Sequence, residues 1–493
     1  MSANKLIYDV EDKPSFGKLL VFAFQQVLAV LAATIAVPAI IGLPVQIPSA
    51  ILGAGLGTLT YLLFTKFKSP VVLSSSFAFL GSLANALAFG YMGILLGGLF
   101  AGLVYVIIAI VVRFAGTAWV DKLMPPVIIG PTVALIGLSL AGAAMGDIVK
   151  ANCDPVNGNY NLVGLLCGLV TFITVVICSV QNKYKGARLV PFILGIGMGY
   201  VVAALFSIIG YAADVDYLKI IDWGPIVKNF ENLSIESFVT YPRFALIEGI
   251  KELANGNVGA DVLAANPAAT VITPVGVAEV ALAFVPVAFV VFAEHLADHK
   301  NLGTIIGRDL LKEPGLTRTL LGDGVGSMVG TVFGVCPNTT YGESVGCVAI
   351  TRNASVRTIF VASLMLIALS FLAPLTAVLR TIPSCVMGGV CLTLYGFIAV
   401  SGFKMFQKVD LSNNKNLFTI SAILISGIGG LSIQIPYAIN NETGAVTATI
   451  QITSIAAALI LGIITLAVCN AIEKRNSPEE VEKDAALEKK VEE

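Results

Sequence analysis

Apolar runs of about 20 residues, each closed by a short polar or charged break, fill this chain from end to end. That is the spacing of helices that cross a bilayer. The first predicted span runs from Lys18 to Ile41, and the second from Ser49 to Phe64, closing on the basic loop Lys66-Phe67-Lys68. A third, ending near Phe89, is interrupted by the polar run Ser74-Ser75-Ser76-Phe77-Ala78-Phe79, and a fourth ends near Val112. Pro125-Pro126 opens the fifth, to Ala144; the polar loop Asp147 to Asn161 precedes the sixth, which stops before Gln181; the seventh covers Val190 to Ile209. A long, partly polar connection, Asp214 to Val275, with room for short surface helices, leads to the eighth, Ala281 to Asp298. A charged amphipathic stretch, Lys300 to Arg318, precedes the ninth, Leu320 to Val335. The tenth ends at Arg352, the eleventh covers Ile359 to Leu379, and Pro383 opens the twelfth, to Val400. The thirteenth is Leu417 to Leu431, the fourteenth Ala448 to Val468, and a dense charge run, Glu473 to Glu493, closes the chain as a solvated tail.

The tenth segment carries the most informative break, Cys336-Pro337-Asn338-Thr339-Thr340-Tyr341-Gly342-Glu343-Ser344-Val345-Gly346. Irregular backbone at membrane depth is tolerated only where protein or a water-filled cavity covers it. An ionisable group there, here Glu343, marks a substrate or ion pathway.

The chain also repeats itself. Pro126 to Gly142 resembles Pro383 to Gly402, and the Ser74-to-Phe79 break stands a similar distance from Asn338 to Glu343. Seven spans per repeat is odd, so the two halves are inverted relative to each other. Interrupted helices at matching positions of inverted repeats point to a transporter's binding site. With the N-terminus inside, Lys66, Lys68, Lys122, Lys183, Lys185, Arg188, Lys300, Arg308, Arg352, Arg357, Lys404 and Lys408 fall on one side, which makes it cytoplasmic and puts both termini there. Lys150 and Arg380 fall on the other. The predicted fold is therefore an all-α polytopic membrane protein of fourteen segments in two inverted seven-span repeats.

Composition agrees. The chain is 56% hydrophobic and 12% charged, with mean hydropathy +0.88, against roughly 25% charged in soluble domains. Its 48 glycines suit close helix approach and broken helices. A net charge of −1 gives no footing for nucleic acid. Cysteines such as Cys167, Cys178, Cys391 and Cys469 lie in apolar spans and read as small packing residues. The polar start, from Met1 through Lys13, does not read as a cleavable signal sequence, and none is expected.

Glu294 and Asp298 lie four apart on one helical face near the inner end of the eighth span. Buried carboxylates there suit a proton relay or a hydrogen-bonding group for a polar substrate. His295 and His299 repeat that spacing but lack a third ligand, so they read as interfacial or packing residues and not as a metal site. Gly322-Asp323-Gly324 reads as a turn-like cluster at the start of the ninth span. There is no His-Glu-x-x-His motif, nucleophile elbow or phosphate loop, so neither an enzyme nor a cofactor is expected. Tyr341-Gly342-Glu343 offers a carboxylate beside free N–H groups at a half-helix start, and Ser76-Phe77 offers a second such start facing it. Carboxylates would accept N–H donors, backbone amides would meet carbonyls, and Phe77 or Tyr341 could pack on a flat ring.

Glu343 to Arg352 resembles the signature of the nucleobase–ascorbate transporter family, and Pro337 to Glu343 with Ala293-Glu294-His295 resembles its uracil permease branch. Pro383 to Gly389 and Leu394-Tyr395-Gly396 extend the likeness over nearly all fourteen spans. The resemblance implies a core domain (18–112 and 276–380) and a gate domain (124–212 and 381–470), with an N-terminus at 1–17, a connection at 213–275 and a tail at 471–493. It implies that Glu294 and Glu343 bind a pyrimidine's ring N–H groups, that N–H groups of Phe77 and Gly342 take its carbonyls, with Ser76 beside them, and that Tyr341 and Tyr395 line the pocket. It ties Asp298, with Glu294, to proton coupling. The implied protein is a secondary-active symporter that takes up uracil with protons (or sodium) by alternating access, and it admits a homodimer through the gate domain. A xanthine or urate transporter is the alternative; an anion transporter of the same fold fits less well, because two carboxylates oppose an anionic substrate. This chain departs from the family pattern at Ser344, where the signature has Asn; at Gln25-Gln26, where Gln-His is usual; and in the length of the connection after the seventh span.

Overall fold

The computed structural model describes residues 6–475, apart from 152, 182, 184–186, 189, 408 and 440–445. Lys185, Lys408 and the charge run beyond Arg475 therefore lie outside the described residues. The chain opens with α1 (Phe16–Ile40) and α2 (Ile47–Phe64), then β1 (Leu73–Ser75), a short 3-10 turn (Phe77–Phe79), α3 (Leu80–Leu87) and α4 (Gly90–Ala115). After α5 (Ala118–Leu123) come α6 (Pro126–Ser139), α7 (Ala141–Ile148), α8 (Leu162–Val180) and α9 (Pro191–Ala213). The connection holds α10 (Gly224–Phe230), α11 (Ala245–Asn255) and α12 (Ala260–Ala265). The second half runs α13 (Pro274–Ile306), α14 (Leu316–Phe333), β2 (Asn338–Thr340), α15 (Gly342–Thr351), α16 (Val356–Leu369), α17 (Ala373–Arg380) and α18 (Ser384–Phe406). It ends with α19 (Asn414–Ile428), β3 (Ile433–Ile439), β4 (Val446–Ile452) and α20 (Ser454–Arg475).

Nine helices among the described residues are long and apolar enough to cross a membrane. The segments read as spans three, ten, eleven and thirteen are shorter or broken, and the ninth, Leu316–Phe333, is an unbroken helix of 18 residues that is less apolar. The third and tenth each enter as a strand and turn into a half-helix. β1 and β2 pair antiparallel, with Leu73 opposite Thr340, Ser74 opposite Thr339 and Ser75 opposite Asn338. Pairing satisfies the backbone groups that the interrupted helices leave open inside apolar surroundings.

The described chain divides into two compact units, the residues up to 116 with 140–397, and 117–139 with the described residues from 398 onward. In the first, α14 packs on α2 and α4 along a seam of glycines. A Cβ on Gly53 would come 2.5 Å from the Gly330 carbonyl oxygen, one on Gly57 2.8 Å from that of Gly326, and one on Gly102 2.5 Å from that of Gly324. Backbones can meet this closely only without side chains, the small-residue packing of membrane helices. In the second unit α6, α19 and α20 pack together, with Gly427 against Leu135 and Gly462 against Ile423.

Several boundaries differ from the sequence reading. α13 starts at Pro274, capped by Thr273 Oγ1 accepting from Gly276 N at 3.1 Å, and runs 33 residues to Ile306, taking in the first part of the charged stretch. Helical geometry does not stop at the membrane edge, and charged residues continue it into water. Gly322-Asp323-Gly324 is no turn: it lies inside α14, its glycines belonging to the seam. The fourteenth span starts later than Ala448, because 446–452 is a strand paired with 433–439. The alternation in Val-Thr-Ala-Thr-Ile-Gln-Ile is the period of a strand, not of a helix. The cysteines are free.

Candidate functional site

The site grows out of the two breaks. Because β1 and β2 run antiparallel, each half-helix leaves from an opposite end of the pair, so the two helix starts point toward each other across about 7 Å of strand. Tyr341 caps the start of α15, and its side chain makes no capping bond to the first turn. Ser76 stands likewise before Phe77 to Phe79. Both helix starts therefore keep N–H groups for something other than their own caps. Ser76 Oγ and Tyr341 OH are buried without a hydrogen-bond partner among the described residues. Buried polar atoms are nearly always paired, so two orphans at facing helix starts mark a place built for a ligand.

Three carboxylates converge there. Glu343 sits in the first turn of α15, half-buried. Glu294 and Asp298 project from α13, also half-buried, and lie within electrostatic reach of Glu343. Thr340 Oγ1 donates to Asp298 Oδ2 at 3.0 Å, tying α13 to β2. Gly342 leaves its backbone open: a Cβ there would sit 3.6 Å from Asp298 Oδ1. Phe77 and Tyr395 form one wall, ring centroids 5.4 Å apart and edge to face. Tyr341 lies in electrostatic range of Glu343, Glu294 and Tyr395. The structure thus brings Glu294, Asp298, Glu343, Gly342, Tyr341 and Tyr395 to one place, with Ser76 and Phe77 at the opposite helix start.

Behind this layer is a buried network that the sequence reading did not assemble. His295 Nδ1 bonds Asp323 Oδ2 at 2.6 Å, and its Nε2 meets Thr319 Oγ1 at 3.1 Å. Thr339 Oγ1 donates to the same Asp323 oxygen at 3.1 Å. His299 Nε2 meets Tyr61 OH at 2.7 Å, and that hydroxyl donates to Ser69. Both histidines are fully buried, so the interfacial reading is replaced by a packing and hydrogen-bonding one. No group of three metal-ligating side chains occurs among the described residues. Asn338 Nδ2 donates to the Gly53 carbonyl at 2.8 Å and anchors β2 to α2. The sequence signal for this layer was polar residues standing inside apolar spans: Asp323, Thr319, and the Asn338-Thr339-Thr340 run.

The sequence profile of a permease family, the xanthine and uracil permeases, matches residues 17–436. The uracil permease of Bacillus caldolyticus is 34% identical over 464 residues, 94% of this chain and 94% of that one. The uracil permease of Bacillus subtilis (strain 168) is 33% identical, over 94% and 95%, and that of Escherichia coli (strain K12) 32%, over 86% and 88%. Among solved structures, the transmembrane domain of the cyanobacterial bicarbonate transporter BicA aligns with a TM-score of 0.52 at 14% identity, over 93% of this chain and all (100%) of that one. The murine Slc26a9 anion transporter aligns at 0.60 and 10% identity, over 94% and 69%. At such identities the two structures speak for the fold alone, that of a polytopic helical membrane protein. With its family signature, its two broken helices and these relatives, the chain belongs to the nucleobase–ascorbate permease family and is an integral, multi-pass membrane protein.

Proposed function

We propose that this permease takes up uracil together with protons, by alternating access of one site. The observation that carries the reading is the meeting of three carboxylates with two orphaned hydroxyls at facing helix starts. Uracil is flat and neutral, with two ring N–H donors and two carbonyls. Glu294 and Glu343 accept the N–H groups; the N–H groups of Phe77 and Gly342 donate to the carbonyls; Tyr341 and Tyr395 wall the ring. Three like charges held together in apolar surroundings repel, and a proton taken up by the cluster relieves that cost. This supports Asp298 and Glu294 as the coupling pair. The core (18–112 and 276–380) moves against the gate (124–212 and 381–470), with both termini cytoplasmic, a placement that the basic loops support.

The test is uptake of radiolabelled uracil into cells lacking their own uracil transporter, with xanthine as competitor and a protonophore in a parallel arm. Uptake that the protonophore abolishes and excess xanthine leaves intact supports the reading. Uptake of xanthine but not uracil rejects the substrate, and uptake indifferent to the protonophore rejects the coupling ion. Glu343→Ala removes uracil binding while the protein stays monodisperse; unchanged binding would reject the site.

A further inference from the structure

A cavity of about 390 Å³ lies away from the substrate site, between α10 and α17. Its polar lining is Asp222, Lys228, Asn229, Thr240, Thr376 and Arg380. Backbone bonds join its walls: Thr240 N donates to Phe371 O at 2.9 Å, and Ala373 N to Phe238 O at 3.1 Å. The cavity therefore belongs to a built contact between the connection and the eleventh segment, at the end opposite Arg352.

The charges in it are unbalanced. Neither the Lys228 ammonium nor the Arg380 guanidinium has an ion-pair or hydrogen-bond partner among the described residues. The lining's carboxylate, Asp222, already accepts from Gly224 N at 2.8 Å. Arg243, itself paired with Asp261 at 3.5 Å, lies within electrostatic range of Arg380. Lys228 and Arg380 are exposed and line the same cavity without a partner among the described residues, an arrangement that suits an anion with several acceptor oxygens.

The surroundings identify which anion. Val227, Leu233, Ile235 and Tyr241 are exposed by 60%, 76%, 80% and 76%, on the same stretch of connection that carries Lys228. Apolar side chains this open, next to Lys228 at the end of a membrane segment, suit a surface that lies on lipid, and Glu231 and Glu236 stand on the same stretch. Asn229 Nδ2 is spent on Ser237 O (2.9 Å), and Thr376 Oγ1 on Leu372 O (3.1 Å), which leaves their oxygens free to accept hydroxyl donors.

We propose that this cavity holds the headgroup of an anionic phospholipid of the phosphatidylglycerol class, its phosphate on Lys228 and Arg380 and its glycerol hydroxyls on Asn229 and Thr376. A choline or ethanolamine headgroup would bring a cation toward two others. The proposal is independent of the transported substrate.

The test uses the full chain in detergent. Its melting temperature is followed against dioctanoyl phosphatidylglycerol, dioctanoyl phosphatidylcholine and sn-glycerol 3-phosphate. Phosphatidylglycerol raises the melting temperature saturably. The double variant Lys228→Gln/Arg380→Gln, monodisperse on gel filtration, needs about ten-fold more of it. An equal response of parent and double variant overturns the proposal, as does an equal effect of phosphatidylcholine. An equal effect of sn-glycerol 3-phosphate also overturns it, because the site then takes a free phosphate. Asp222→Asn removes a negative charge and keeps an oxygen for Gly224 N. It lowers the phosphatidylglycerol concentration needed, and so decides the matter should the double variant fail to fold; no change in that concentration overturns the proposal.

Discussion

Ser344 Oγ donates to Gln26 Oε1 at 2.9 Å, joining the residue after Glu343 to the middle of α1. The same hydroxyl accepts from Val72 N at 3.0 Å, and Gln26 Nε2 reaches the Ser344 carbonyl at 3.4 Å. Ser344 is fully buried, so its side chain serves the joint between α1, the approach to β1 and α15. By the resemblance these are also two of the positions where the chain departs from the family's pattern, and the structure joins them through this hydrogen bond.

Ser344→Ala leaves Val72 N–H without its buried acceptor and Gln26 short of one bond. A cost of about 1–3 kcal/mol is expected, read as a lower unfolding midpoint together with weaker uracil binding. Because the two residues share one interaction, the double variant Ser344→Ala/Gln26→Ala costs less than the sum of the singles. Gln26→His and Ser344→Asn, each damaging alone, are expected to be tolerated together.

The buried pair His295–Asp323 gives the second prediction. Removing one member of a buried, hydrogen-bonded pair leaves the other unsatisfied and costs about 1–3 kcal/mol, whereas replacing both by apolar residues costs less. Asp323→Ala should therefore unfold at markedly lower denaturant than Asp323→Leu/His295→Leu. Near-equal midpoints for the two would show that the pair does not act as a unit.

Much of this architecture was legible in the sequence, and what was missed shares one physical cause. Span positions, the two breaks and Glu294, Asp298 and Glu343 are local signals: apolar run length, Gly and Pro punctuation, carboxylates in apolar surroundings. Pairing is not local. Nothing in Ser74 or Thr339 alone says that they lie side by side in a strand pair, and nothing in Gln26 says that it waits for Ser344. Asp323 was misread because flanking glycines signal a turn in a soluble chain and a close helix contact in a membrane one.

That contact is itself testable. A Cβ on Gly324 would stand 2.7 Å from Tyr105 Cβ and 2.8 Å from the Gly102 carbonyl oxygen. The latter is backbone and cannot swing aside. Gly324→Ala should cost about 1–3 kcal/mol through overpacking, despite Ala's higher helix propensity. Gly346→Ala, with nothing within 4 Å of the added carbon, is the matched control and should keep or raise the midpoint through helix propensity.

The last prediction concerns how the connection is fastened to the membrane helices. Glu252 on α11 accepts from Tyr91 N at 2.7 Å, at the start of α4, and from Gly259 N at 3.1 Å. Gly90 makes room for it: its φ is +66°, and a Cβ would fall 2.4 Å from Glu252 Oε2. Burial pushes the Glu252 carboxyl above its ordinary value of 4.5, and the N–H groups that it accepts offset this only in part. The folded state thus holds the proton more tightly than the unfolded chain does. The resulting stabilisation is present in full below 4.5 and is lost as pH rises through the raised value. Melting temperature should therefore fall with rising pH over that window, and Glu252→Gln, which cannot ionise, should flatten the fall. Glu252→Ala should do more: it leaves three N–H groups, those of Tyr91, Met92 and Gly259, without this acceptor and lowers stability at every pH, by about 1–3 kcal/mol for each. A pH profile identical in the parent and Glu252→Gln would show that this carboxyl carries no such linkage.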